Sequence, residues 1–167
     1  LEPRAKDIVI EDIAHALARI CRFGGHVAVD SVYSVAQHSV LVSKACREEH
    51  ALLGLLHDAS EAYIGDVIRP LKILLKGYKE IERRWELAIG EALGLGDALA
   101  SLPADVKEAD LRLLATERRD LLADGPGHRR WDLNAPPLVA RIVPWSVPAA
   151  KRAFLARYER LLRSVVG

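Results

Sequence analysis

"GLLHDASEAYIGD", residues 54–66, opens as an apolar run and then places His57, Asp58, Glu61 and Asp66 within ten positions. On a helix His57 and Asp58 point about 100° apart, and Glu61 lies one turn beyond both, so the three side chains converge. Leu52, Leu53, Leu55 and Leu56 leave little of that helix's circumference polar, which makes it a central element of a helical fold. One reading of the charges is a solvated edge formed by Asp58 and Glu61, with His57 as a satisfied boundary residue. The other supplies a counter-charge or a metal, because an unpaired buried charge costs on the order of several kcal/mol.

Outward from this stretch, helical spacing recurs almost everywhere. Ile13, Leu17, Ile20 and Cys21 share one face of a helix beginning near Glu11, with acidic residues where the helix dipole favours them. "FGGHVAVDSVY", residues 23–33, predicts a loop or a short extended piece. A second helix is expected over 35–49, with Val35, His38, Val42 and Cys46 near one side, and a third over 50–65, ending where Gly65 can take the left-handed cap. Pro70 suits the first turn of a short helix over 69–75. Longer helices follow over 79–95, and from near Pro103 through 104–123. Glycine and proline then predict a long irregular connection, with or without a short strand, before Ser146 caps a terminal helix. The expected architecture is all-α, one compact bundle of six or seven helices, since these faces need one another for burial.

Composition narrows the function classes. Half of the 167 residues are apolar, enough for one sizeable core in one domain. The formal charge is only +1, so there is no strong field of the kind that marks a dedicated nucleic-acid or membrane-surface binder, and neither is expected as a partner. Cys21 and Cys46 form neither a zinc-knuckle spacing nor a disulfide framework, and no run reaches membrane-spanning length, so a cytoplasmic location is expected.

Four positions on three predicted helices carry a family resemblance: His38 in "AQHSV", His57 and Asp58 in "HDASEAYIGD", and Asp110 at the end of "VKEAD". Together with "RPLK", residues 69–72, this order resembles the HD-domain phosphohydrolases, most closely the 5'-deoxynucleotidase-like branch. The resemblance covers roughly residues 11–125 of a single HD domain, while 126–167 match only loosely. It implies one divalent metal held by His38, His57, Asp58 and Asp110, with open positions for water and a phosphate oxygen. Mixed nitrogen and oxygen donors suit Mn, Co, Fe, Ni or Zn better than Ca. Two-metal relatives recruit further histidines after the His-Asp pair, yet no histidine lies between His57 and His128, which favours a mononuclear site.

The same residue-by-residue matching implies that Glu61 orients or deprotonates the attacking water and that Asp66 stands near the scissile phosphate. Arg22 falls where nucleotidase relatives carry a phosphate-binding arginine, with Arg19 as a rival, and Lys72 and Arg69 could add charge at the mouth. Against these stand a surface carboxylate, a loop cap and a solvated basic face. His15 and His50 read as packing or surface histidines, Trp85 and Trp145 as core, and Arg118 and Arg119 as partners in local salt bridges. "HRRW", residues 128–131, reads as a solvated loop with one packed tryptophan, or as a patch that stacks a base.

The expected activity is hydrolysis of a nucleoside 5'-monophosphate, with deoxynucleotides among the expected substrates and a homodimer as the expected assembly. Cleavage of a guanosine tetraphosphate-type alarmone is a second reading, lowered because Glu61 is followed by Ala62 rather than aspartate. A non-catalytic module that binds metal or nucleotide is a third.

Overall fold

A computed structural model describes residues 2–123, 131 and 133–166, without the side chains of 165 and 166. Among them the chain forms eight α-helices and no strand: α1 Ile10–Leu17, α2 Val35–Ala45, α3 Ala51–Leu56, α4 Glu61–Ile64, α5 Arg69–Lys72, α6 Tyr78–Ala92, α7 Ala104–Leu121 and α8 Val147–Val166. The all-α expectation holds, and among the described residues no helix is long and apolar enough to cross a membrane.

α2 is the hub, packed against α3, α7 and α8. Ser34 starts it, its Oγ accepting the Gln37 N–H at 3.2 Å and so satisfying a donor that the first turn leaves over. Six large apolar side chains on its neighbours, Ile13, Leu17, Leu55, Leu56, Leu113 and Phe154, are 0–1% exposed. Each contributes roughly 1.5–3 kcal/mol of transfer free energy. The terminal helix, in the stretch where the resemblance is only loose, is thus part of the core, with Ala150 and Phe154 both fully buried.

The third predicted helix is interrupted. α3 stops at Leu56, residues 57–60 form a turn, and α4 restarts at Glu61, which raises the helix count above the expected six or seven. Through the turn the N–H groups of Ala59 and Glu61 bond three residues back, to Leu56 and Asp58, at 2.9 and 3.0 Å. The His57 ring supplies a local cause: its Nδ1 donates at 2.9 Å to the Gly54 carbonyl, the acceptor an unbroken helix offers to Asp58. Three-residue spacing eclipses Asp58 and Glu61, holding them on one side.

Helices one and two also end early, at Leu17 and Ala45. The loop expected over 23–33 is closed at its base by an isolated antiparallel bridge between Cys21 and Ser34, and the Arg22 N–H bonds the Tyr33 carbonyl at 2.9 Å. Phe23 is left-handed at φ 56°, uncommon outside glycine, and lets the chain double back beside Arg22. Of "HRRW" only Trp131 lies within the described residues; it is 43% exposed, with its ring 6.1 Å from that of Phe23. Residues 133–146 are irregular but tethered. Arg119 donates to the carbonyls of Leu138 and Ala140, and the Gln37 amide pairs with Val143 and Trp145. Trp85 is buried and Trp145 half-buried against the core, and both cysteines are free.

Candidate metal centre

Three elements deliver four side chains to one point. His38 stands one turn into α2 and is fully buried, His57 and Asp58 occupy the turn after α3, and Asp110 projects from α7. The Nε2 atoms of His38 and His57 face each other at 3.3 Å. Asp58 Oδ2 lies 3.4 Å from the first and 3.2 Å from the second. Asp110 Oδ1 lies 3.2 and 3.9 Å from the same two nitrogens and enters from the solvent side, its side chain 40% exposed.

These separations fit a metal. Two donors at about 2.0–2.2 Å from one ion, at about 90–110°, stand roughly 2.8–3.6 Å apart. The donor atoms of His38, His57 and Asp58 all lie within 4.8 Å of one another, so this His-His-Asp group can hold an ion, with Asp110 at its rim. Each imidazole is anchored through Nδ1, leaving Nε2 to point inward: His57 to the Gly54 carbonyl, and His38 at 2.6 Å to Glu117.

Glu117 was not singled out in the sequence. It is fully buried on α7 and also accepts the Tyr33 hydroxyl at 2.7 Å and Arg22 Nη2 at 3.4 Å. Burial alone would raise its pKa, but the charges of His38 and Arg22 and its hydrogen bonds hold it below the ordinary value. Its seven-residue offset from Asp110 puts both on one face of α7, two turns apart, and that offset was the available signal.

Without metal the cluster is a network of charges. Burial and the Arg22 charge pull the His38 pKa down, yet Glu117 and Asp110 prevail and it rises to about 10. Asp58 is driven well below the usual carboxylate range, the His57, His38 and Arg22 charges overriding its desolvation. Arg22 reaches Asp58 at 3.6 Å, Asp66 at 3.8 Å and Glu117 at 3.4 Å, so the sequence-predicted arginine lies beside the cluster. Its rival Arg19 donates instead to the His15 carbonyl, in an exposed setting.

Glu61 is 3% exposed, with Oε2 buried and without a hydrogen-bond partner. Desolvation, reinforced by the negative charges of Asp58 and Asp66, pushes its pKa up to about 9. Asp66 is raised as well, chiefly by burial. Lys72 is close but committed: its Nζ is 3.0 Å from Glu82 and 3.7 Å from Glu61, so the basic charge expected at the mouth is largely neutralised. Arg69 is exposed. His15 is a surface residue, and His50 binds Asp105 at 2.6 Å, so neither joins the cluster. Arg119 forms its local ion pair with Asp120 at 2.7 Å.

No known family model matches the sequence. Two uncharacterized proteins are similar to it. YfdR of Escherichia coli (strain K12) is 51% identical over 120 residues, which cover 71% of this chain and 65% of that protein. The chain therefore spans just under two thirds of that relative's length. RCAP_rcc00048 of Rhodobacter capsulatus is 36% identical over an alignment of 182 positions, covering 100% of this chain and 92% of the relative. On that identity, sustained from end to end, the chain belongs to the family of RCAP_rcc00048.

Proposed function

We propose that the protein is an HD-type, metal-dependent phosphomonoesterase acting on a nucleoside 5'-monophosphate, deoxynucleotides included. The observation that carries this reading is the convergence of His38, His57, Asp58 and Asp110, in the motif order of that superfamily, with Glu61, Asp66 and Arg22 around it. A single divalent ion of the Mn, Co, Fe, Ni or Zn group would polarise a phosphoryl oxygen and lower the pKa of a bound water.

The chain's own residues supply the rest. Two neutral imidazoles and two carboxylates balance a divalent charge, so a phosphate dianion can approach. Glu61 holds a buried oxygen without a partner one tightened turn from Asp58; a divalent charge nearby would lower its raised pKa and make it an acceptor for the proton of the attacking water. The Arg22 fork, held in place by three carboxylates, offers its positive charge to a phosphoryl oxygen. Asp66 keeps a proton more readily than an ordinary aspartate, which suits donation to the leaving oxygen.

Phosphate release from a panel of nucleoside monophosphates with Mn or Co tests the reading. Release from at least one member, abolished by chelation, supports it. Nucleotide binding by metal-replete protein with no release from any member makes it a binding module instead. The reading carries a homodimer with it, which light scattering tests through the mass of the purified protein.

A further inference from the structure

We infer that Glu117 is a positioning residue of the metal site, fixing the His38 ring and the Arg22 guanidinium through one buried carboxylate. The inference rests on the metal-site reading and adds a residue that lies outside its ligand set.

His38 and Glu117 are both 0% exposed, so neither has water to satisfy it. A ring in that position can rotate, flip or exchange tautomers unless a partner chooses for it, and only one choice leaves the Nε2 lone pair free for metal. Glu117 Oε1 accepts from Nδ1 at 2.6 Å, which keeps a proton on Nδ1 and aims Nε2 at His57, Asp58 and Asp110. The same oxygen accepts the Tyr33 hydroxyl at 2.7 Å, so the carboxylate is itself oriented. Its other oxygen faces Arg22 Nη2 at 3.4 Å.

This arrangement is more than a buried ion pair. Glu117 touches no atom of the donor cluster except the back of the His38 ring, and its remaining partners come from the loop closed by the Cys21–Ser34 bridge. One side chain therefore ties the start of that loop to α2 and α7, and locks the metal ligand and the candidate phosphate arm into a common frame. A carboxylate behind a ligating histidine typically changes metal affinity by about 10–100-fold when removed.

The test compares Co binding to wild type, Glu117→Ala and Glu117→Gln, with folding checked by far-UV circular dichroism on metal-free protein. Glu117→Ala is expected to bind Co about 10–100-fold more weakly. Glu117→Gln keeps an acceptor for both His38 and Tyr33 and is expected to recover most of that loss. A second readout is the Nδ1 proton of His38 in zinc-loaded protein, followed by nitrogen-edited NMR. It should be slow to exchange in wild type and Glu117→Gln, and lost in Glu117→Ala. Should Glu117→Ala not fold, the Gln variant and Tyr33→Phe carry the comparison: both should retain the protected proton, Tyr33→Phe with faster exchange. The inference is overturned if folded Glu117→Ala binds Co as tightly as wild type, if Gln gives no rescue, or if the proton exchanges freely in wild type. Wild type that binds no metal at all overturns the metal-site reading instead.

Discussion

Asp58 and Glu61 stand one tightened turn apart and are held in opposite protonation states. Asp58 faces two imidazoles and Arg22, which keep it ionised, whereas Glu61 is desolvated beside the negative charges of Asp58 and Asp66 and rises to about 9. Two carboxylates whose environments separate their pKa values are suited to different tasks, here ligand and, once a divalent charge beside Glu61 lowers its pKa, proposed base. Glu61→Gln should accordingly lower phosphate release by roughly 10²–10⁴-fold while metal affinity stays within a few-fold of wild type. Parallel activity and calorimetric titrations measure both, and equal loss of metal and activity would make Glu61 a ligand instead. At this scale the sequence was informative wherever chemistry was packed into a short motif. His38, His57, Asp58 and Asp110 needed only their order, and all four converge. Glu117 escaped because its partners Arg22, Tyr33 and His38 lie 95, 84 and 79 positions away, and a carboxylate within "ATERRDLL" looks like any helix-surface residue. Lys72 erred the other way: its charge was visible, but the Glu82 that claims it was not.

The elements were legible in type and less so in extent. Apolar spacing identified the helices that flank the site, yet the helix over 50–65 is broken, because periodicity cannot register a histidine ring taking a backbone carbonyl. That break depends on how closely α3 approaches α2. A Cβ at Gly54 would stand 2.6 Å from Cys46 Sγ, which would have to turn aside, and 3.3 Å from Ser43 Cα, which would have to give by a few tenths of an ångström. Gly54→Ala should therefore separate α2 from α3, cost about 1–3 kcal/mol of stability and spoil the 3.3 Å approach of His38 to His57. Denaturant unfolding together with Co titration checks it. Unchanged stability and affinity would mean that the two helices do not set the metal geometry.

Across the whole molecule, the charge network makes metal-free stability depend on pH. His38 has an ordinary value of 6.5 and rises to about 10 in the folded protein, and Glu61 rises from 4.5 to about 9. A raised folded pKa contributes stability that is complete below the unfolded value and is lost as pH climbs through the folded one. Asp58, Asp110 and Glu117 are depressed, so their contribution is present above the usual carboxylate range and is lost on acidification. Melting temperature of chelator-treated protein should fall from about pH 4.5, where the Glu61 contribution begins to be lost, and more steeply from about 6.5 toward 10, where that of His38 is lost as well. Added metal should flatten that slope, because a coordinated His38 has already given up its Nε2 proton. A melting curve independent of pH over this window would contradict the network. The C-terminal third shows the limit of motif reading on the same scale: α8 has no motif to transfer, yet its Phe154 lies fully in the core.

The proposed reaction is hydrolysis of a phosphomonoester that depends on one metal ion, which His38, His57, Asp58 and Asp110 would hold. Its most direct test loads metal-free protein with increasing Mn or Co and records phosphate release from a deoxynucleoside monophosphate panel against bound metal per chain. Release should rise in proportion to occupancy and saturate at one ion. Full occupancy without release from any substrate, or a plateau reached only at two ions, would contradict it.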